Sequence, residues 1–180
     1  MVNNNKIIII FSGKQFSGKD TVAKILLERL KTFKRIGIGD AIKMMYSQKT
    51  GLTVEEIEKN KSVYRQDLID LGDWGRAQSP QFWLNSIAEY KGNTIVTDIR
   101  VKDELDFFRK YNAFAVRVEA SEEARSKRGV LASKNDNTEI ALDNITDWDY
   151  VISNEGTYEE LLEKAEKLIE TLKQKYGQDL

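Results

Sequence analysis

The chain has 180 residues, and its 28 basic and 29 acidic side chains leave a formal net charge of −1, a balance that argues against nucleic acid or an anionic membrane as partner. It contains no cysteine and no histidine, which excludes a disulfide framework, thiolate metal sites, the commonest general base and a Ser-His triad. Chemistry must then run on Lys, Arg, Asp, Glu and a hard cation such as Mg2+, and phosphoryl transfer needs little else because it is mostly positioning and charge neutralisation.

The length predicts a single domain over residues 1–180. The apolar run 7–11 is too short for a signal peptide and no stretch approaches a membrane span, so a cytoplasmic protein is expected. Residues Lys6 to Phe11 read as a central parallel strand, because the isoleucine run and Phe11 are apolar on both faces. The strand runs into Gly13-x-x-x-x-Gly18-Lys19 and then a helical pattern, the context of a Walker A phosphate loop. Gly13 and Gly18 let the backbone turn its N–H groups inward at the positive end of the helix, and Lys19 reaches the β- and γ-phosphates. Asp20 stands where the pattern wants Ser or Thr, so either Asp20 or Thr21 attends Mg2+. The competing reading is a glycine-rich turn closing an ordinary strand–helix unit.

The first helix is expected from about Gly18 to Phe33, on the stripe Val22, Ile25, Leu26, Leu30 and Phe33. Lys34 to Asp40 reads as a short second strand and its exit turn, followed by a helix from Ala41 to near Gly51. Thr53 and Glu56 form a capping box. In the next helix, Lys61 to Gly75, Arg65 and Arg76 are about three turns apart and share a face with Gly72. A glycine inside a helix marks a close approach by backbone or ligand; alternatively Gly72 and Gly75 end the helix and both arginines are solvated. Ser79 and Pro80 are expected to open another helix as N-cap and first residue.

Asn93 to Arg100 reads as a third strand. Ligands sit at the carboxyl ends of parallel strands, so Asp98 and Arg100 should face the crevice of the glycine loop. Asp98 either serves Mg2+ or acts as a base; the competing reading is a buried Asp98–Arg100 pair. Ala113 to Glu119 is the fourth strand, and Ser121 opens a helix carrying Arg125 and Arg128 at i, i+3, whose bland reading is a solvated face. Residues 130–148 are polar and irregular, a moving flap. Asp149 to Ile152 is the fifth strand, and Ser153 to Gly156 turns into a last helix capped by Thr157 and Glu160. Strands alternating with helices predict an α/β fold on a parallel sheet.

Together GKQFSGKDT, YRQDLIDLGDWGRAQSPQFW, TDIR, ASEEARSKRG, TEIALDN and VISNEG resemble the P-loop nucleoside monophosphate kinases over residues 6–172. The nearest members are the phage-type deoxynucleoside monophosphate kinases and the animal-type phosphomevalonate kinases, and the GKD form of the loop is typical of this group. The resemblance implies a three-layer αβα P-loop NTPase fold with a five-stranded parallel sheet, an acceptor-binding helical segment at about 40–92 and a lid at about 121–145. It implies ATP and Mg2+, held by Gly13, Lys14, Ser17, Gly18, Lys19, Asp20 and Thr21, with Asp98 beside the metal. Asn154 and Gly156 would lie against the adenine, and Arg65, Gly72, Arg76, Asp98 and Arg100 would meet the acceptor. Arg125 and Arg128 would act with Lys19 and Arg100 on the transferring group, and all five arginines are expected to converge beside Lys19. The implied reaction phosphorylates a deoxynucleoside monophosphate. Phosphomevalonate is the alternative acceptor, although Phe16 and Val101 stand where that family carries further basic residues. A nucleotide-binding regulator without catalysis is the remaining alternative. The implied partners are small molecules, with room for a homodimer.

Overall fold

The structure is a computed structural model and describes residues 6–131 and 137–180; Ser133 to Asp136 of the expected flap, and the tail Val2 to Asn5, lie outside the described residues. The chain forms two compact units, Met1–Arg35 with Lys91–Leu180, and Ile36–Tyr90.

The first unit is built on a five-stranded sheet in the order β2-β3-β1-β4-β5. Its strands are β1 (Ile8–Ser12), β2 (Phe33–Arg35), β3 (Asn93–Ile99), β4 (Phe114–Glu119) and β5 (Tyr150–Ser153), and every pairing is parallel. All of β1 is buried, as an apolar run at the centre of a doubly covered sheet must be. Ile9 and Phe11 enter one core cluster with Val22, Leu26, Leu161, Leu168 and Leu172, from α1 (Lys19–Arg29) and α9 (Tyr158–Tyr176). The strand's alternation sends Ile8 and Ile10, both buried, to the opposite face. The α/β fold with its parallel sheet is as the sequence predicts. Among the described residues three further helices belong to this unit: α6 (Lys102–Arg109), α7 (Glu122–Arg128) and α8 (Asn137–Ile140).

The second unit is helical: α2 (Ile38–Thr50), α3 (Val54–Lys59), α4 (Lys61–Gln78) and α5 (Phe82–Glu89). The Thr53–Glu56 capping box opens α3, and the Thr157–Glu160 box opens α9. The Trp83 indole N–H donates to the Gly72 carbonyl at 3.0 Å, and a Cβ on Gly75 would lie 2.5 Å from the same ring. Gly75 is therefore the spot where α4 lets an indole lie against its backbone.

Several boundaries differ from expectation. Helix α1 ends at Arg29, and Phe33 reaches the core from β2 instead of from the helix; both routes bury one side chain, so periodicity does not separate them. Helix α2 starts at Ile38, ahead of Ala41, because the Asp40 carboxylate accepts from the Gly37 N–H at 2.9 Å and caps the earlier turn. Helix α4 runs through Gly72 and Gly75 to Gln78, which removes the reading in which those glycines end it. Ser79 closes α4 and does not cap α5: its hydroxyl accepts from the Gln81 N–H at 3.2 Å, and α5 begins at Phe82. Among the described residues no helix is long and apolar enough to cross a membrane.

Candidate active site

The glycine loop joins β1 to α1 at the carboxyl end of the sheet. Gly13 (φ +159°) and Gly18 (φ +99°) stand where a side chain would collide: a Cβ on Gly13 meets Ser17 Oγ and the Val118 carbonyl at 2.5 Å, and one on Gly18 meets Asn154 Nδ2 at 2.3 Å. Phe16 also takes a positive φ of 59°, a conformation that costs a non-glycine residue energy and clusters at ligand sites. Among the described residues no side chain caps α1; its first-turn amides, which have no intrahelical partner in any helix, carry its positive end at the glycine loop. Among the described residues the Ser17 hydroxyl, buried there, has no hydrogen-bond partner. Open amides, an orphaned hydroxyl and a cradle that a Cβ would fill are what a phosphate chain requires.

Lys19 is 8% exposed, and its Nζ lies 3.4 Å from Asp20 Oδ2 and 3.8 Å from Asp98 Oδ1. Asp98 reaches it through an irregularity in β3. Phe11 pairs with Thr97 but Ser12 pairs with Ile99, so Asp98 is skipped by the ladder and adopts φ 88°. Its carboxylate accepts from Arg100 Nε at 2.7 Å. The two side chains are 45% and 38% exposed, so the pair stands open to solvent, unlike the buried pair of the competing reading. The Asp98 hydrogen bond raises the Arg100 pKa above its ordinary value, against the opposing effect of partial burial.

Arg125 and Arg128 turn to the loop's carbonyls. Arg125 is 8% exposed and donates to the Gln15 and Ala120 carbonyls, both at 3.3 Å. Arg128 donates to the Phe16 carbonyl at 3.1 Å and the Asn154 carbonyl at 2.8 Å. Among the described residues neither is seen in an ion pair with a carboxylate, although Arg128 is near enough to Glu155 to help lower that carboxyl's pKa. A solvated charged face does not describe Arg125. Gly18, Lys19, Asp20, Thr21 and Arg128 line one cavity of about 580 Å³. Lys14 lines another of about 530 Å³ with Arg117, Arg125 and Glu155, and Gly156 lines a smaller one of about 250 Å³. Asn154, 5% exposed, spends its side-chain amide on the Ser17 carbonyl at 2.8 Å.

In the second unit Arg65, Gly72 and Arg76 line one cavity of about 410 Å³ with Ile42, Lys43 and Leu68, so the face read from the spacing on α4 exists. Lys43 is held by Asp40 at 3.0 Å and Glu58 at 2.7 Å; burial opposes its charge, yet these two hydrogen bonds keep its pKa above the ordinary lysine value. Arg76 pairs with Asp73 at 2.8 Å.

The sequence reading assigned nothing to Arg117, Glu139 and Asp143. Arg117 is buried in β4, donates to Ser12 Oγ at 2.9 Å and pairs with Asp143 at 3.3 Å. An arginine inside the otherwise apolar Phe114–Val118 was the signal. Glu139 and Asp143 lie in the quoted TEIALDN stretch, where spacing gives no hint of a partner more than a hundred residues away.

Comparison with known proteins agrees with this geometry. Among solved structures the chain is similar to a shikimate kinase from Aquifex aeolicus (19% identity, 92% of this chain and 97% of that one, TM-score 0.51). It is similar to a sugar kinase from Janibacter sp. (17%, 92% and 95%, TM-score 0.52), and to a shikimate kinase from Acinetobacter baumannii in complex with shikimate (22%, 93% and 95%, TM-score 0.50). At these identities the likeness is one of fold alone. The phosphomevalonate kinase family profile matches residues 11–114. It is this match, with the strand, glycine loop and helix on a parallel sheet, that defines a P-loop kinase, an enzyme of the phosphotransferase class. The chain belongs to the phosphomevalonate kinase family.

Proposed function

We propose that the protein transfers the γ-phosphoryl group of ATP to the phosphate of a deoxynucleoside monophosphate. The observation that carries the acceptor is the second unit's cavity: Ile42, Leu68, Ile69 and Gly72 wall it, while Arg65 and Arg76 supply charge. An apolar wall with guanidinium groups at hand suits a flat base joined to a phosphate. The acceptor's phosphate oxygen is already ionised at neutral pH, so attack in line on the γ-phosphorus needs no strong base, in keeping with a chain that lacks histidine.

In this reading Lys19 and the amides around Gly13, Lys14, Ser17 and Gly18 hold the nucleotide's phosphates, and Asn154 and Gly156 serve its adenine end. Arg100, Arg125 and Arg128 stabilise charge on the transferring group, and Arg65 and Arg76 bind the acceptor's phosphate. Among the described residues no group of three or more acidic side chains is placed to hold a metal. Asp20, Thr21 and Asp98 fit Mg2+ as hard oxygen donors that share the ion with phosphates, its usual manner of binding. The ion would neutralise charge building on the phosphate oxygens.

The family match favours a second acceptor, phosphomevalonate. ADP release with ATP, Mg2+ and a panel of deoxynucleoside monophosphates, nucleoside monophosphates and phosphomevalonate separates the two. Turnover of deoxynucleotides is the expected result. Turnover of phosphomevalonate alone overturns it, and ATP binding without turnover of any acceptor would favour a nucleotide-sensing regulator.

A further inference from the structure

The stretch TEIALDN has no part in the reaction as assigned, yet it delivers a buried carboxylate to the glycine loop. Glu139 is 8% exposed, and both of its oxygens are engaged. Oε2 accepts from the Gln15 backbone N–H at 3.1 Å, and Oε1 pairs with Arg100 Nη1 at 3.8 Å. One turn further along, Asp143 Oδ2 accepts from Lys14 Nζ at 2.6 Å while its Oδ1 takes Arg117 Nη2 at 3.3 Å. Two adjacent loop residues, Lys14 and Gln15, are thus each tied to a carboxylate of this stretch, and each carboxylate also holds an arginine.

A buried charge is tolerated only where it is paired and hydrogen-bonded, so Glu139 is held in place by partners on both sides. A carboxylate repels phosphate, and with both oxygens engaged by protein groups Glu139 does not itself hold the phosphate chain. It lies between the Gln15 amide and the Arg100 guanidinium, which Asp98 holds from its other side at 2.7 Å. We infer that Glu139 is a positioning residue for phosphoryl transfer, bridging the Gln15 amide to Arg100 so that this guanidinium stays beside the Asp98 carboxylate that also faces Lys19. The inference rests on the proposed phosphotransfer for the role of Arg100, but the bridge itself can be tested without any acceptor.

Glu139→Gln keeps the volume and an oxygen for the Gln15 amide while removing the charge that faces Arg100; Glu139→Ala removes both. With the acceptor that the wild-type chain turns over, Glu139→Gln is expected to lower kcat by about tenfold or more while KM for ATP stays within about threefold. In an Arg100→Ala background the same substitution should add no more than about a twofold loss, because it acts through a guanidinium already gone. An unchanged kcat in Glu139→Gln, or a loss that multiplies in full with that of Arg100→Ala, overturns the inference. Amide hydrogen exchange read by NMR on the protein without nucleotide supplies the second measurement. Exchange at Gln15 should be about tenfold faster in Glu139→Ala while the amides of β1 and β4 stay protected. An unchanged rate at Gln15 overturns the bridge. Should the wild-type chain phosphorylate no acceptor, the proposed function fails, while the Gln15 exchange rate still decides whether the bridge exists.

Discussion

The Asn154 side-chain amide donates to the Ser17 carbonyl at 2.8 Å, and so ties the turn after β5 to the glycine loop 137 residues earlier. Both residues are buried, so the bond is shielded from water. Asn154→Ala leaves that carbonyl without its partner and should cost about 1–3 kcal/mol of stability. It should also raise KM for ATP, since Gly18 packs against the same amide. Urea unfolding and ATP-dependent kinetics on one preparation check both halves; unchanged stability would show that the bond is dispensable.

Lys19 is the cation that the loop presents from its helix end. Lys19→Ala is expected to reduce kcat by about a thousandfold or more, a loss of the size associated with removing a charge from the transferring phosphate. Circular dichroism should show the fold retained, because α1 is held to the core by Val22, Ala23, Ile25 and Leu26. Activity within about tenfold of wild type would remove this lysine from the reaction.

On α4 the two glycines should respond differently to alanine. At Gly75 the new methyl meets the Trp83 ring at 2.5 Å, and the crowding should cost about 1–3 kcal/mol. At Gly72 the nearest atom, Ile42 Cδ1 at 3.1 Å, ends a flexible side chain, so stability should change less. Gly72→Ala should instead raise KM for the acceptor, because the methyl narrows the cavity between Arg65 and Arg76. Thermal melts and acceptor kinetics on the two variants test the contrast.

Acid should weaken the protein through specific carboxylates. Hydrogen bonds from Ser121 hold the Glu155 pKa below its ordinary value of 4.5, the Thr53 amide and hydroxyl do the same for Glu56, and Lys43 does so for Glu58. A carboxyl whose folded value is depressed binds its proton more readily when unfolded. Its contribution is therefore present above about pH 4.5 and lost as pH falls through the folded value. The melting temperature should drop on acidification through this window, and Glu155→Gln should flatten the drop. An equal slope in that variant would place the acid sensitivity elsewhere.

The glycine loop, the buried β1 and the capping boxes at Thr53 and Thr157 were legible in the sequence because each is a local device. Their spacing along the chain is their geometry in space. The common face of Arg65, Gly72 and Arg76 was legible for the same reason, since all three share α4 and the turn of the helix sets it; that α2 closes a cavity over this face was not. Residue pattern alone determined a phosphate loop on a parallel sheet in a chain without thiols or imidazoles.

The tertiary structure decided how the loop is braced. It brought Glu139 and Asp143 to Gln15 and Lys14 across more than a hundred residues. It pulled Asp98 out of the ladder toward Lys19, and set Arg117 against Ser12. A charged side chain's partner depends on which strands lie side by side, and that follows from how the chain crosses over the sheet. Nothing in the chemistry of neighbouring residues records that crossing, so only the folded molecule shows it.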